Sequence, residues 1–156
     1  MTSISETTIV SYHPKYAAAY KKLNLAWIEK YFVVEEHDIE QLDDPETYII
    51  SKGGYILFAK FEDEIVGTCA LIKTGEDEFE LAKMAVAEHM RGKQIGKLIG
   101  EAAIEQAREA GAKRVWLESN RILTTALNLY RKLGFVEIPM SSTPYARANI
   151  KMEIWL

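Results

Sequence analysis

A chain of 156 residues is the length of one domain, able to bury about 70% of the surface its unfolded form exposes. With 48% hydrophobic and 27% charged residues and a formal net charge of −4, it has the composition of a soluble globular protein, not of a disordered or collagenous one. The acidic balance argues against a nucleic-acid partner, whose phosphates need a basic face, and a single cysteine, Cys69, excludes a disulfide framework or a cysteine-based metal site.

The first six residues contain neither a basic stretch nor an apolar core, so no signal peptide is expected, and no apolar run approaches the ~18 residues of a membrane span. A cytoplasmic location is the expectation. Thr7–Tyr12 is β-rich, and Pro14 stands where the first turn of a helix tolerates proline. Tyr16, Tyr20, Leu23, Trp27 and Tyr31 then recur at helical spacing as one apolar stripe. Asp44-Pro45 is a second helix start, a capping carboxylate followed by proline, and that helix should end at Gly53-Gly54.

Tyr55–Phe61 and Ile65–Lys73 flank the polar turn Glu62-Asp63-Glu64 and read as a hairpin, with Glu78–Ala87 as a third antiparallel strand. Cys69 falls within this apolar run and reads as a small buried hydrophobe rather than a catalytic thiol. The period then changes. Ile95, Leu98, Ile99, Ala102, Ala103 and Ala107 share one face of a long helix that Gly111 terminates. Val115–Leu117 is a strand reached by crossover and therefore parallel to its predecessor. Leu123, Ala126, Leu127 and Tyr130 form a further helical face closed by Gly134, before strands at Phe135–Ile138 and Asn149–Leu156. Between those strands lies a loop containing Pro139, Ser141, Ser142, Thr143 and Pro144. The expectation is a single α/β (α+β) domain over 1–156, with a mixed, mainly antiparallel sheet of about seven strands and about four helices.

The turn at Arg91-Gly-Lys-Gln-Ile-Gly-Lys is the most informative segment. A helix N-terminus gathers free N–H groups and the positive end of the dipole, which makes it an anion site. Arg91, Lys93 and Lys97 add positive charge where it opposes the dipole, and a bound anion would account for that. The segment is neither a Walker A loop nor G-x-G-x-x-G, because its glycines fall at 92, 96 and 100. The plainer alternative is that the glycines allow close helix packing and the basic residues are solvated.

Arg91-Gly-Lys-Gln-Ile-Gly-Lys resembles the pyrophosphate loop of the GNAT acetyltransferases, usually Arg/Gln-x-x-Gly-x-Gly/Ala. Met84-Ala85-Val86 looks like the strand segment that pairs with the pantetheine arm in that family. Ala126-Leu-Asn-Leu-Tyr130-Arg-Lys-Leu-Gly-Phe135 is similar to its second signature, a helix ending in Leu-Tyr-x-x-x-Gly-Phe. Two departures stand out: Gln94 at the first motif glycine, and Leu123 where many members have asparagine. The resemblance implies acetyl-CoA as co-substrate, no metal, and a cofactor set of Met84, Ala85, Val86, Arg91, Gly92, Lys93, Gln94, Ile95, Gly96 and Lys97, with Asn120 and Lys132 beside them.

Aminolysis of a thioester needs alignment, a proton acceptor for the amine and a proton donor for the sulfur. The resemblance makes Tyr130 the general acid, although the ring also completes an apolar helical face, and it implies a bulge near Met84–Val86 whose backbone N–H could polarise the acyl carbonyl. Glu80 is the candidate base. Strand alternation puts Glu78, Glu80, Ala82, Met84 and Val86 on one face, and burial there would raise a carboxyl pKa. A solvated glutamate is the alternative, and Glu118 is the reserve.

The resemblance places the acceptor pocket against the first two helices and the loop 139–145. Trp27, Glu29, Tyr31, Glu35, Glu36 and Asp38 would suit an ammonium-bearing acceptor, though most of these charges could equally form a solvated face. His13, His37 and His89 show no metal-ligand spacing. The expected activity is transfer from acetyl-CoA to the primary amine of a small molecule. A protein amino-terminal acetyltransferase and a non-catalytic CoA-binding module are the alternatives. Members of the superfamily often form homodimers, and the last strands offer an edge for pairing.

Overall fold

A computed structural model describes residues 6–141, 143 and 145–156; Ser142 and Pro144 of the expected loop, and the first five residues, lie outside it. Seven strands form one sheet in the order β1-β2-β3-β4-β5-β7-β6. They are β1 (Thr7–Ser11), β2 (Tyr55–Phe61), β3 (Glu64–Gly75), β4 (Glu78–Val86), β5 (Arg114–Ser119), β6 (Val136–Ile138) and β7 (Ile150–Trp155). The β2–β3–β4 meander is antiparallel as its turns imply, and β4 and β5, joined by a helical crossover, are the parallel pair.

The helices are α1 (Ala17–Tyr31), α2 (Glu36–Asp43), α3 (Pro45–Tyr48), α4 (Ile95–Glu109) and α5 (Thr124–Leu133). Asp44 caps α3 as expected, its carboxylate accepting the Thr47 N–H, but α3 is one turn long and passes into a 3-10 turn at Ile50–Lys52. Helix α2 is an element the sequence did not announce. Its short length and charged composition hide it, and it is started by a capping box in which Glu35 and Asp38 each accept a backbone N–H.

The two faces of the sheet carry separate cores. On one, Phe79, Leu81, Val115 and Leu117 pack with Ile95, Ile99 and Ala103 of α4 and Leu127 of α5. On the other, Ile56, Phe58 and Ala70 pack with Tyr20 and Ile28 of α1. The buried row of α1 is Tyr20–Asn24–Ile28 and not the aromatic stripe, since Tyr31 is 43% exposed. Asn24 can take a core position because its amide donates to the Tyr20 carbonyl and accepts from the Trp27 indole. Cys69 is fully buried in the α4-side core, which pushes its thiol up to about 12 and leaves it inert.

Candidate active site

Strands β4 and β5 pair only from Glu78 to Glu80 against Arg114 to Trp116. Beyond Glu80 they part, and among the described residues the β5-facing edge of Ala82–Val86 keeps no strand partner. The parting opens a groove of about 920 Å³ that runs from the start of α4, past Tyr130, to the exit of α1. Of the residues expected to bind the cofactor, Met84, Ala85, Val86, Arg91, Gly92, Gln94, Ile95, Gly96 and Lys97 line it, joined by Asn120 and Lys132 from the β5–α5 side. Lys93 is exposed and stands outside the lining.

One end of the groove is built from the turn into α4. Among the described residues, the N–H groups from Gly92 to Lys97 have no backbone acceptor, and the first bond into the helix is Leu98 N–H to the Gln94 carbonyl, 3.1 Å. Gly92, at φ +78°, faces open space, so nothing blocks a ligand there. Gly96 has a packing role instead: a Cβ would sit 3.1 Å from Leu129 of α5. Gln94 adopts φ +62°, the left-handed conformation for which the usual motif glycine is suited. The substitution therefore keeps the turn, at the cost of a strained backbone.

Tyr130 is almost fully enclosed by the α4-side core, its ring edge-on to Phe135 at 6.0 Å, while it also lines the groove. Burial and the nearby Cys69 push its hydroxyl up to about 12. The phenol thus stays protonated near neutrality, and among the described residues it donates to no protein group. Glu80 also reaches the groove. Burial, then the Glu118 carboxylate, push its carboxyl up to about 7, against the pull of Lys83 and Lys151. Glu118 accepts a hydrogen bond from Thr143 at 2.6 Å.

The expected alternation along β4 fails after Ala82. Lys83 has φ +53°, and the register with β3 slips between Thr68 and Ala70, so β4 carries a bulge. Met84 and Val86 consequently pack on the α4 side with Leu81, and Glu80 lies on the opposite face from them. The bulge also turns Lys83 toward α2, where its Nζ donates to Asp38 Oδ1 at 2.8 Å and to the Tyr145 hydroxyl at 3.0 Å.

These features belong with what comparison shows. Residues 16–135 match the Acetyltransferase (GNAT) family. The chain is a member of that family. It is 30% identical over 130 residues to the uncharacterized N-acetyltransferase YjgM of Escherichia coli (strain K12), covering 80% of this chain and 75% of that one. A GNAT-family acetyltransferase of Staphylococcus aureus Mu50 superposes with a TM-score of 0.85 at 23% identity, over 96% and 98% of the two chains. A Bacillus subtilis acetyltransferase solved in complex with CoA does so at 0.74 and 20% identity, over 96% and 99%. This GNAT domain is an acyltransferase of the acetyl-CoA-dependent kind.

The end of the groove at the exit of α1 holds residues that the sequence did not bring out. Arg147 donates to Asp38 at 2.7 and 2.6 Å and to Glu35 at 3.2 Å, and its guanidinium lies 4.4 Å above the Tyr145 ring. Burial would raise the Asp38 carboxyl, but hydrogen bonds from Arg147 and Lys83 outweigh it and hold Asp38 well below the usual carboxylate range. Asp38, named as a groove carboxylate, is instead sealed beneath it. Glu35 is likewise spent on Arg147 and on the Ala146 N–H, while Glu29 and Glu36 are exposed. Trp27 and Tyr31 do line the groove, with Phe32. No residue type signals Arg147 in advance, because its partners are 109 and 112 residues away in sequence.

Asn120 is also engaged within the fold. Its amide donates to the Arg147 carbonyl at 2.6 Å and accepts the Ile122 N–H at 2.9 Å, which shapes the turn before α5. His13, His37 and His89 are dispersed, and among the described residues no group of three or more His, Cys, Asp and Glu is placed to hold a metal. No helix among them is long and apolar enough to cross a membrane.

Proposed function

We propose that the domain transfers an acetyl group from acetyl-CoA directly to the primary amine of a small molecule, with Glu80 as general base and Tyr130 as general acid. The observation that carries this reading is the parting of β4 and β5, which joins the free N–H groups of α4 to both groups in one groove. The N–H groups from Gly92 to Lys97, with Arg91, Lys97 and Lys132, offer the donors and charge that a pyrophosphate requires. The free edge of Ala82–Val86 offers the donors and acceptors of an extended strand, which suits the amides of a pantetheine arm.

Acetyl-CoA, when bound, supplies the acyl thioester. Glu80, poised near neutrality, takes the proton an attacking amine must lose, and Tyr130 gives a proton to the departing sulfur. Backbone N–H groups at the β4 bulge are the candidates to polarise the acyl carbonyl. A small acceptor is supported by the way Arg147 and Tyr145 tie the segment before β7 down onto α2, which fixes that segment beside the groove. The wall of Trp27, Tyr31 and Phe32 offers an acceptor apolar contact, with the Arg147 guanidinium already 5.9 Å from the Trp27 ring and 6.0 Å from the Phe32 ring.

The division of labour is testable by thiol release from acetyl-CoA across a panel of primary amines. Tyr130→Phe should lower turnover by about 10²-fold with little change in acetyl-CoA affinity. Arg91→Ala should weaken that affinity and leave turnover at saturation nearly intact. Equal loss of cofactor affinity in both variants would contradict these roles. Binding of CoA with no thiol release over the whole panel would favour a non-catalytic module.

A further inference from the structure

Lys83 is an unexpected residue at φ +53° in the middle of a strand, since it has a Cβ and a long side chain. That side chain is only 3% exposed and ends on Asp38, which is itself fully buried. Regular alternation would have put Lys83 on the face of Phe79 and Leu81, inside the apolar layer beneath α4. An ammonium there would have neither water nor a carboxylate. The left-handed residue shifts the strand by one step. Lys83 then emerges on the other face, within reach of Asp38 and Tyr145, while Met84 and Val86 take its place against the α4 core.

We infer that the Lys83–Asp38 pair fixes the bulge of β4 and so sets the aim of the Met84–Val86 backbone into the groove. On the reading that this edge holds the acyl donor, Asp38 is a positioning residue for a reaction it never touches, since it does not line the groove. The charge on Lys83 excludes the unbulged register, in which it would be stranded. The carboxylate of Asp38 holds it in the bulged one. Helix α2 thereby supports the donor site from the opposite face of the sheet.

The test measures acetyl-CoA and CoA binding by calorimetry on the full chain and its variants. Methionine at 83 is as long as lysine but is content in the apolar core, so Lys83→Met frees the unbulged register and should raise both dissociation constants at least ~10-fold. Glycine adopts positive φ without strain, so Lys83→Gly should raise both constants by at most about a third of the Lys83→Met factor although it also deletes the ion pair. Asp38→Asn should weaken binding in the wild-type background and weaken it much less beside Lys83→Gly, where only the hold of Asp38 on Arg147 is left to lose.

Binding by Lys83→Met equal to wild type, or equal losses in Lys83→Met and Lys83→Gly, would overturn the inference. So would an Asp38→Asn loss that persists undiminished beside Lys83→Gly. Should Lys83→Met not fold, the Lys83→Gly and Asp38→Asn cycle decides alone. Failure of the wild-type chain to bind either ligand would instead remove the donor-site reading itself, and this inference with it.

Discussion

Glu80 shows how one carboxyl can be made useful by its surroundings. A glutamate in water would be ionised near neutrality but too weak a base, whereas burial and the facing Glu118 bring Glu80 to about 7. As a base it must be ionised, so the acceptor-side rate should climb with pH through about 7 and level off above it. Glu80→Gln should remove that rising limb and lower the rate by about 10²-fold, measured as a pH profile of kcat/KM. Stability carries the opposite sign. A folded-state pKa raised from 4.5 to about 7 favours the fold below the unfolded value, and this contribution is lost as pH rises through about 7. Glu80→Gln should therefore leave the melting temperature unchanged at pH 4 and raise it at pH 8.5, where it relieves up to about 3 kcal/mol. A variant that melts like wild type at both values would show that Glu80 is solvated in the folded protein.

Among the elements, α4 opens on the free N–H groups proposed to hold the pyrophosphate, and its distance from the sheet is set by what lies beneath it. Gly67 of β3 sits under its first two turns, where a Cβ would come within 2.5 Å of Ile99 Cδ1 and 3.0 Å of Ile95 Cγ2. Both side chains are buried and have little room to yield. Gly67→Ala should push the N-terminal turn of α4 outward and destabilise the fold by about 1–3 kcal/mol. The same displacement should weaken CoA binding, whereas a mutation that destabilises far from α4 would not. Denaturant unfolding and a CoA titration on one preparation check both expectations. Unchanged CoA affinity in Gly67→Ala would show that the turn tolerates a shift of the helix beneath it.

Over the whole molecule, what sequence reveals depends on how local the cause is. Periodicity and turn residues brought out all seven strands and α4 and α5, because each depends on neighbours a few positions away. The loop at Arg91–Lys97 was legible for the same reason, since a helix start and its donors form one short segment. A bulge near Met84–Val86 followed from the resemblance alone, whereas its place at Lys83, helix α2 and the clamp on Arg147 were not legible, because they depend on pairs such as Lys83–Asp38, 45 residues apart, that only the folded sheet brings together. The alternation rule misplaced Glu80 relative to Met84 because one left-handed residue breaks it. A donor site assembled from both local and distant parts should bind as a unit with folding. A ligand held only by the folded state at 100 times its dissociation constant adds about 2.7 kcal/mol, or roughly 5–10 °C for a domain of this size. Acetyl-CoA and CoA should each produce that shift in a thermal melt, and ATP and NADPH should not, because a general anion site would accept all four while a groove lined by the Met84–Val86 edge selects the pantetheine arm. Equal shifts with all four ligands would reduce the site to the charge and free N–H groups of the α4 turn. No shift with any at millimolar concentration would mean that the parting of β4 and β5 is not a donor site in this chain.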